Sequence, residues 1–180
     1  MCRLFGLRAN RAVDVHFSFV EAPHSLLQQS REHPHGWGIA WYDERGAQVF
    51  KEPVTAARSR NFPRMAQEVK SSLIIAHIRK RSRGAQTPEN THPFRHHNWV
   101  FAHNGTITTG AALREELRPE FQQLIQGQTD SEVYFYWLLQ HIQEQGDPVR
   151  GIAAAVRQLR HRHRLTGLNF LLSEGQNLYA

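Results

Sequence analysis

MCRLFG, residues 1–6, holds the only cysteine of a 180-residue chain, Cys2, directly after the initiator methionine. Cysteine is small enough for an aminopeptidase to remove Met1 ahead of it. The mature chain then starts with a thiol and a free α-amine on one Cα. A free cysteine has a pKa of about 8.5 and an α-amine one of about 7.7–8.0. Near neutral pH the amine is partly unprotonated and can take the thiol proton, directly or through a water. Nucleophile and base thus share one residue, a compact form of covalent catalysis. Residues 2–9 read as a short strand, which sets the thiol on a rigid element. A cysteine at position 2 is equally compatible with no role, so the rest of the chain must supply the other parts of a site.

Residues 13–22 show no clean period and read as loop, followed by a helix over roughly 23–31. The run GWGIAWY (36–42) is a strand by its length and aromatic content. A turn at 43–46 returns the chain along 47–51 as a hairpin. Gly36 and Gly38 mark either a close backbone approach to a ligand or a bulge. Residues 55–70 read as helix in pieces, broken at Pro63. The β-branched run 72–78 is a buried strand delivering Arg79 at its end, and 84–93 is loop. Residues 98–103 form a strand closing on Asn104-Gly105, a pair that favours positive φ and reads as a tight turn. Short helices follow at 111–117 and 120–125. Thr129 with Glu132 forms a capping box that opens a helix of about four turns to Gln145. Asp130 sits in its first turn, where an acid complements the helix dipole. Pro148 opens another helix to about Arg160; 168–172 is a strand, and 177–180 starts one more.

Length allows one domain with a sizeable core and not two full ones. No run approaches 18 apolar residues, so no membrane span is expected. The N-terminus lacks the basic and apolar regions of a signal peptide. A single thiol forbids an internal disulfide, and a reducing, cytoplasmic setting is the default. The net charge of +6 raises the question of nucleic acid. Lysines are only Lys51, Lys70 and Lys80, however, and the basic runs 77–83 and 157–164 lack interleaved aromatics. They read as solvated faces, so no nucleic-acid partner is expected. The histidine pairs at 33/35, 96/97 and 161/163 lack cysteine partners and helical H-E-x-x-H spacing, so no metal site is expected. No cofactor is expected either.

MCRLFG (1–6), GWGIAWY (36–42), AHIR (76–79), NTHPF (90–94), FAHNGTI (101–107) and TDSE (129–132) together resemble the class-II, N-terminal-nucleophile glutamine amidotransferases, in the family's order and across nearly the whole chain. The resemblance implies that Cys2 attacks the side-chain amide of glutamine, or of a γ-glutamyl compound, to form a thioester and release ammonia or amine. Asn104, through its amide, and Gly105, through its N–H, would form the oxyanion hole. Arg79 would grip the substrate α-carboxylate as a bidentate fork, and Asp130 would accept the α-ammonium. His92 would shape the glutamine pocket, and Trp37 would pack beside the nucleophile as wall. The implied fold is α+β, a four-layer αββα sandwich of two antiparallel sheets, with 1–180 as one amidotransferase domain.

Two departures bear on the type. Lys80 follows the arginine where ammonia-channelling synthases carry tryptophan, and His35 precedes Gly36 where small relatives often carry an acid. Both imply a stand-alone enzyme. Small relatives run on for tens of residues beyond position 180, so the domain is expected to lack closing strands and to need a stabilising or ammonia-accepting partner. Two other classes stay open: an inactive scaffold subunit of the same fold, and a basic nucleic-acid-binding module independent of Cys2.

Overall fold

β1 (Arg3–Val13) begins one residue after the thiol and runs past the expected end at residue 9. In this computed structural model the described residues are 2–82 and 84–180. The expected loss of Met1, and Arg83 at the end of the first basic run, lie outside them. The chain forms two compact units, residues 1–104 with 169–180, and residues 105–168.

In the first unit β2 (Trp37–Asp43) and β3 (Gly46–Glu52) form the expected hairpin, paired from Trp37↔Glu52 to Asp43↔Gly46. β4 (Ser71–Ile78) lies between β1 and β2, antiparallel to both, which gives the order β1-β4-β2-β3. The second sheet has the order β5-β6-β7-β8, from β5 (Phe94–His96), β6 (Trp99–Ile107), β7 (Leu165–Ser173) and β8 (Leu178–Tyr179). Its β5–β6 and β7–β8 pairs are antiparallel.

Strand side chains alternate between faces, and the first sheet is apolar on both. One face carries Trp37, Ile39, Ile74, Ala76 and Ile78 against Phe19 and Phe62. The other carries Ala40, Leu73 and Ile75 against Val100 and Ala102 of β6, with Leu171 and Leu178 joining from β7 and β8. Each fully buried Leu, Ile or Phe side chain contributes roughly 1.5–3 kcal/mol, so this double burial fixes the register of β4. Two antiparallel sheets with helices make the fold α+β, the class that the resemblance implied.

Four local expectations change. The helix at 23–31 shrinks to α1 (Leu26–Gln29), with Ser25 Oγ accepting from Gln28 N–H at 3.3 Å. Residues 17–21, read as loop, form a π-helical turn. Pro63 does not break its helix: in α2 (Asn61–Glu68) it occupies the first turn, where the missing N–H has no partner to lose. Asn104-Gly105 is not a turn, because β6 runs straight through it and Gly105 is not among the glycines with positive φ. The reversal comes earlier, between β5 and β6, where His97 has φ 50°. Asn98 braces it: its Oδ1 accepts Ala47 N–H at 2.8 Å and its Nδ2 donates to Glu174 O at 2.9 Å.

The second unit is helical: α3 (Gly110–Glu115), α4 (Pro119–Gln122), α5 (Asp130–Gln145) and α6 (Pro148–Arg162). Thr129 caps α5 by accepting from Glu132 N–H at 3.3 Å. The Glu132 carboxylate holds the preceding loop, accepting Gln126 N–H at 3.0 Å and Gly127 N–H at 2.7 Å. Every residue of α5 from Asp130 to Ile142 is buried, which is why its middle, residues 133–139, is apolar or aromatic on every side. Helix α6 approaches α5 at Gly151, where a Cβ would stand 2.4 Å from Ile142 Cα.

Candidate active site

Period-two alternation brings three of the sequence-predicted residues to one place. Leu4, Ile75 and Ala102 all lie in the layer between the sheets. Cys2 is two residues before Leu4, Arg79 four after Ile75, and Asn104 two after Ala102. The register Arg3↔Ile78 makes Cys2 and Arg79 the next opposed positions. All three therefore extend the inter-sheet face at its same end.

Asn104 holds residue 2 at two points. Its Oδ1 accepts Cys2 N–H at 3.1 Å, and its Nδ2 donates to Cys2 O at 2.8 Å. The second Nδ2 hydrogen has no protein acceptor among the described residues. Cys2 Sγ accepts the main-chain N–H of Lys80 at 3.2 Å and lies 3.5 Å from Lys80 O. Burial pushes the Cys2 thiol up, while the Lys80 N–H and the charges of Arg79 and Arg3 pull it down. Arg3 also fixes the main chain, donating from Nη1 to Cys2 O at 3.3 Å and from Nε to Gln29 Oε1 at 2.6 Å. A thiol held this way needs a local base, and any amine on Cys2 N would lie on the same Cα.

Arg79 is buried at 3% exposure. Its guanidinium donates to Ala85 O at 3.0 Å and to Gly84 O at 3.5 Å, so it also organises the loop that follows. Its main chain pairs with residues 35–36, through Arg79 N–H to Gly36 O at 2.8 Å and His35 N–H to Arg79 O at 3.2 Å. Burial, and next the Arg81 charge, push the His35 imidazole down. The first basic run is thus mixed: His77 and Arg79 are buried, and Lys80 and Arg81 are exposed.

Gly38, not Trp37, faces the inter-sheet layer. The Trp37 indole packs on the opposite face, against Phe50 and Phe62 with ring centroids at 5.5 and 4.9 Å. The expectation of a tryptophan wall beside the nucleophile is therefore corrected, because alternation turns residue 37 away. A Cβ on Gly38 would meet His92 O at 2.3 Å, so glycine is required for backbone approach. His92 is buried with its ring tilted against that of His77, centroids 4.2 Å apart. Burial drives both imidazoles down, His77 to about 3 and His92 well below the usual range. Both are neutral, and His77 lies on the same strand face as Arg79, two residues earlier. Sequence reasoning missed His77 although AHIR contains it; its alternation with Arg79 was the available signal. It also missed the Lys80 amide, for which a main-chain donor leaves no signal.

Gly105 and Asp130 belong to the second unit. β5 pairs with β6 only as far as Phe94↔Phe101, so β6 carries Gly105 beyond the end of that partner. Asp130 is the first residue of α5 and 8% exposed. Its Oδ2 accepts Ile107 N–H at 2.6 Å. Its other oxygen has no protein partner among the described residues.

Comparison with known proteins identifies the family and the fold. The family model described as glutamine amidotransferases class-II matches residues 1–180. YafJ of Escherichia coli K12 is 36% identical, with 100% of this chain and 72% of that protein covered. Other curated relatives are longer: the chain spans 62% of one from Haemophilus influenzae and 50% of one from Methanocaldococcus jannaschii. Among solved structures, a glutamine aminotransferase class-II domain protein from Silicibacter pomeroyi superposes with TM-score 0.68 at 23% identity, covering 98% of this chain and 75% of that one. Glutamine phosphoribosylpyrophosphate amidotransferase from Bacillus subtilis gives TM-score 0.66 at 20% identity, over 96% of this chain and 35% of that one. At those identities the likeness speaks for the fold.

Proposed function

The chain belongs to the class-II glutamine amidotransferases, and from that premise we propose that Cys2, freed of Met1, cleaves the γ-amide of glutamine or of a γ-glutamyl compound. The observation that carries the proposal is the two-point hold of Asn104 on Cys2, at 3.1 and 2.8 Å. It brings the nucleophile and an oxyanion donor together from positions 102 residues apart.

In the proposed reaction the Cys2 amine takes the thiol proton, and Sγ attacks the amide carbon. The carbonyl oxygen becomes an oxyanion, met by the remaining Nδ2 hydrogen of Asn104 and by Gly105 N–H. One such donor lowers the barrier by about 3–4 kcal/mol. The tetrahedral intermediate collapses as the C–N bond breaks, and the amine returns its proton to the leaving nitrogen. Water, deprotonated by the same amine, then attacks the thioester, giving a γ-carboxylate and the free thiol. Arg79 takes the α-carboxylate and Asp130 the α-ammonium, one cation and one anion for an amino acid head group. Burial keeps His77 and His92 neutral, and His92 shapes the pocket from behind.

The test combines intact mass with glutamine hydrolysis. The expected results are a chain lacking Met1, covalent labelling of Cys2 by a glutamine-mimicking diazoketone, turnover abolished in Cys2→Ala and a trace left in Cys2→Ser. Retention of Met1 in an active protein would overturn the mechanism. Turnover surviving in Cys2→Ala would overturn the assignment of the nucleophile.

A further inference from the structure

Within the second unit a second group of side chains is linked as tightly as the nucleophile, and the reaction leaves it unused. Thr109 Oγ1 lies 2.9 Å from His163 Nδ1. His163 Nε2 lies 3.1 Å from Glu116 Oε1, and Glu116 Oε2 lies 3.2 Å from Arg162 Nη1. His163 is buried and follows α6; Thr109 precedes α3, and Glu116 follows it. The Thr109 hydroxyl shares a hydrogen bond with Nδ1, while the Glu116 carboxylate faces Nε2 from the other side of the ring. The hydroxyl is thereby diverted from its usual duty, for Thr109 stands at the N-cap of α3 and makes no side-chain cap bond.

The neighbouring residues show what this arrangement positions. Thr108 donates both its N–H and its Oγ1–H to Arg164 O, each at 2.9 Å. Ile107 N–H is held by Asp130 Oδ2 at 2.6 Å. Gly110 packs on Asp130 so closely that a Cβ there would stand 3.0 Å from Asp130 Cβ. The segment 107–110 is therefore pinned to the residues after α6 at 108 and 109, and meets Asp130 at 107 and 110. It is also the direct continuation of the strand that carries Gly105.

We infer that Thr109, His163 and Glu116 form a latch that sets where Asp130 presents its free oxygen to the substrate α-ammonium. They are positioning residues for substrate selection. The inference rests on the proposed role of Asp130 and adds the device that aims it. A latch of this kind acts on recognition of the amino group and leaves amide cleavage itself alone.

The experiment compares glutamine with glutaramate, its analogue lacking the α-amine, in steady-state hydrolysis by the full chain. Thr109→Val, nearly isosteric, is expected to raise KM for glutamine about tenfold, with kcat within twofold and glutaramate unchanged. Thr109→Ser restores the hydroxyl and is expected to return KM to within twofold of the parent, and Glu116→Gln to fall between the two. Asp130→Asn is the reference and is expected to erase the preference for glutamine. If Asp130→Asn erases it and Thr109→Val leaves it intact, the latch is overturned and the ammonium site stands. An equal loss on both substrates in Thr109→Val likewise overturns the latch in favour of general structural support. If Asp130→Asn changes neither substrate, the ammonium site falls and the latch with it.

Discussion

Acid should weaken this protein well above the carboxylate range, and the buried pair His77–His92 is the reason. Both rings are buried 4.2 Å apart, and both are held neutral by burial, His77 down to about 3. In the unfolded chain each titrates near 6.5. Below that pH the unfolded state binds protons that the folded state refuses, so stability is full above about 6.5 and falls as pH drops toward the folded values. Each refused proton costs about 1.4 kcal/mol per pH unit. At pH 5.0 that is about 2 kcal/mol for His77, with His92 acting in the same direction, against the roughly 5–15 kcal/mol that holds a domain folded. With a urea slope of about 2 kcal/mol/M, His77 alone should lower the unfolding midpoint by about 1 M between pH 7.5 and 5.0. Equilibrium urea curves by tryptophan fluorescence at the two pH values measure it. His77→Gln should remove that part of the fall. Midpoints that agree at both pH values, or a His77→Gln protein with the full fall, would refute the reasoning.

Three further outcomes follow from single positions. Gly38→Ala places a methyl against the His92 carbonyl and Pro93 Cδ, at 2.3 and 2.8 Å; overpacking against a backbone atom should cost about 3 kcal/mol, read as a lower urea midpoint. Arg79→Lys keeps the charge and loses the fork; losing a charge-assisted bond of about 1.5–3 kcal/mol should raise KM for glutamine by about 10- to 100-fold, with kcat less affected. Asn98→Ala strands the Ala47 N–H and the Glu174 carbonyl, which it now serves at 2.8 and 2.9 Å; about 1–3 kcal/mol of stability should be lost with hydrolysis per folded molecule unchanged.

Strands buried on both faces were the most legible part of the sequence. The run 72–78 is apolar and β-branched because both of its faces are covered, and the hairpin at 37–52 shows its turn openly. Helix α5 was readable from Thr129 and from its length. What failed was local chemistry overridden by tertiary pairing. Asn-Gly is the commonest hairpin turn pair, yet here it lies mid-strand, with the Asn104 amide committed to the main chain of residue 2. β5 has three residues, too few to show a period. Trp37 was placed beside the thiol by resemblance alone, and alternation sends its ring to the far core. Cys2, Arg79 and Asn104 were named as types and motifs. That they end one shared strand face was visible only once β1, β4 and β6 had a register.

The sulfur of Cys2 is steadied by a peptide group, the N–H of residue 80, at 3.2 Å. Such a donor is indifferent to what hangs from its own Cα: any amino acid but proline supplies it. Position 80 can therefore exchange its side chain without surrendering its grip on that sulfur, and lysine there is as serviceable as an aromatic ring. Chemistry written into the backbone leaves the adjoining surface at liberty to be rewritten for a different neighbour or a different cargo.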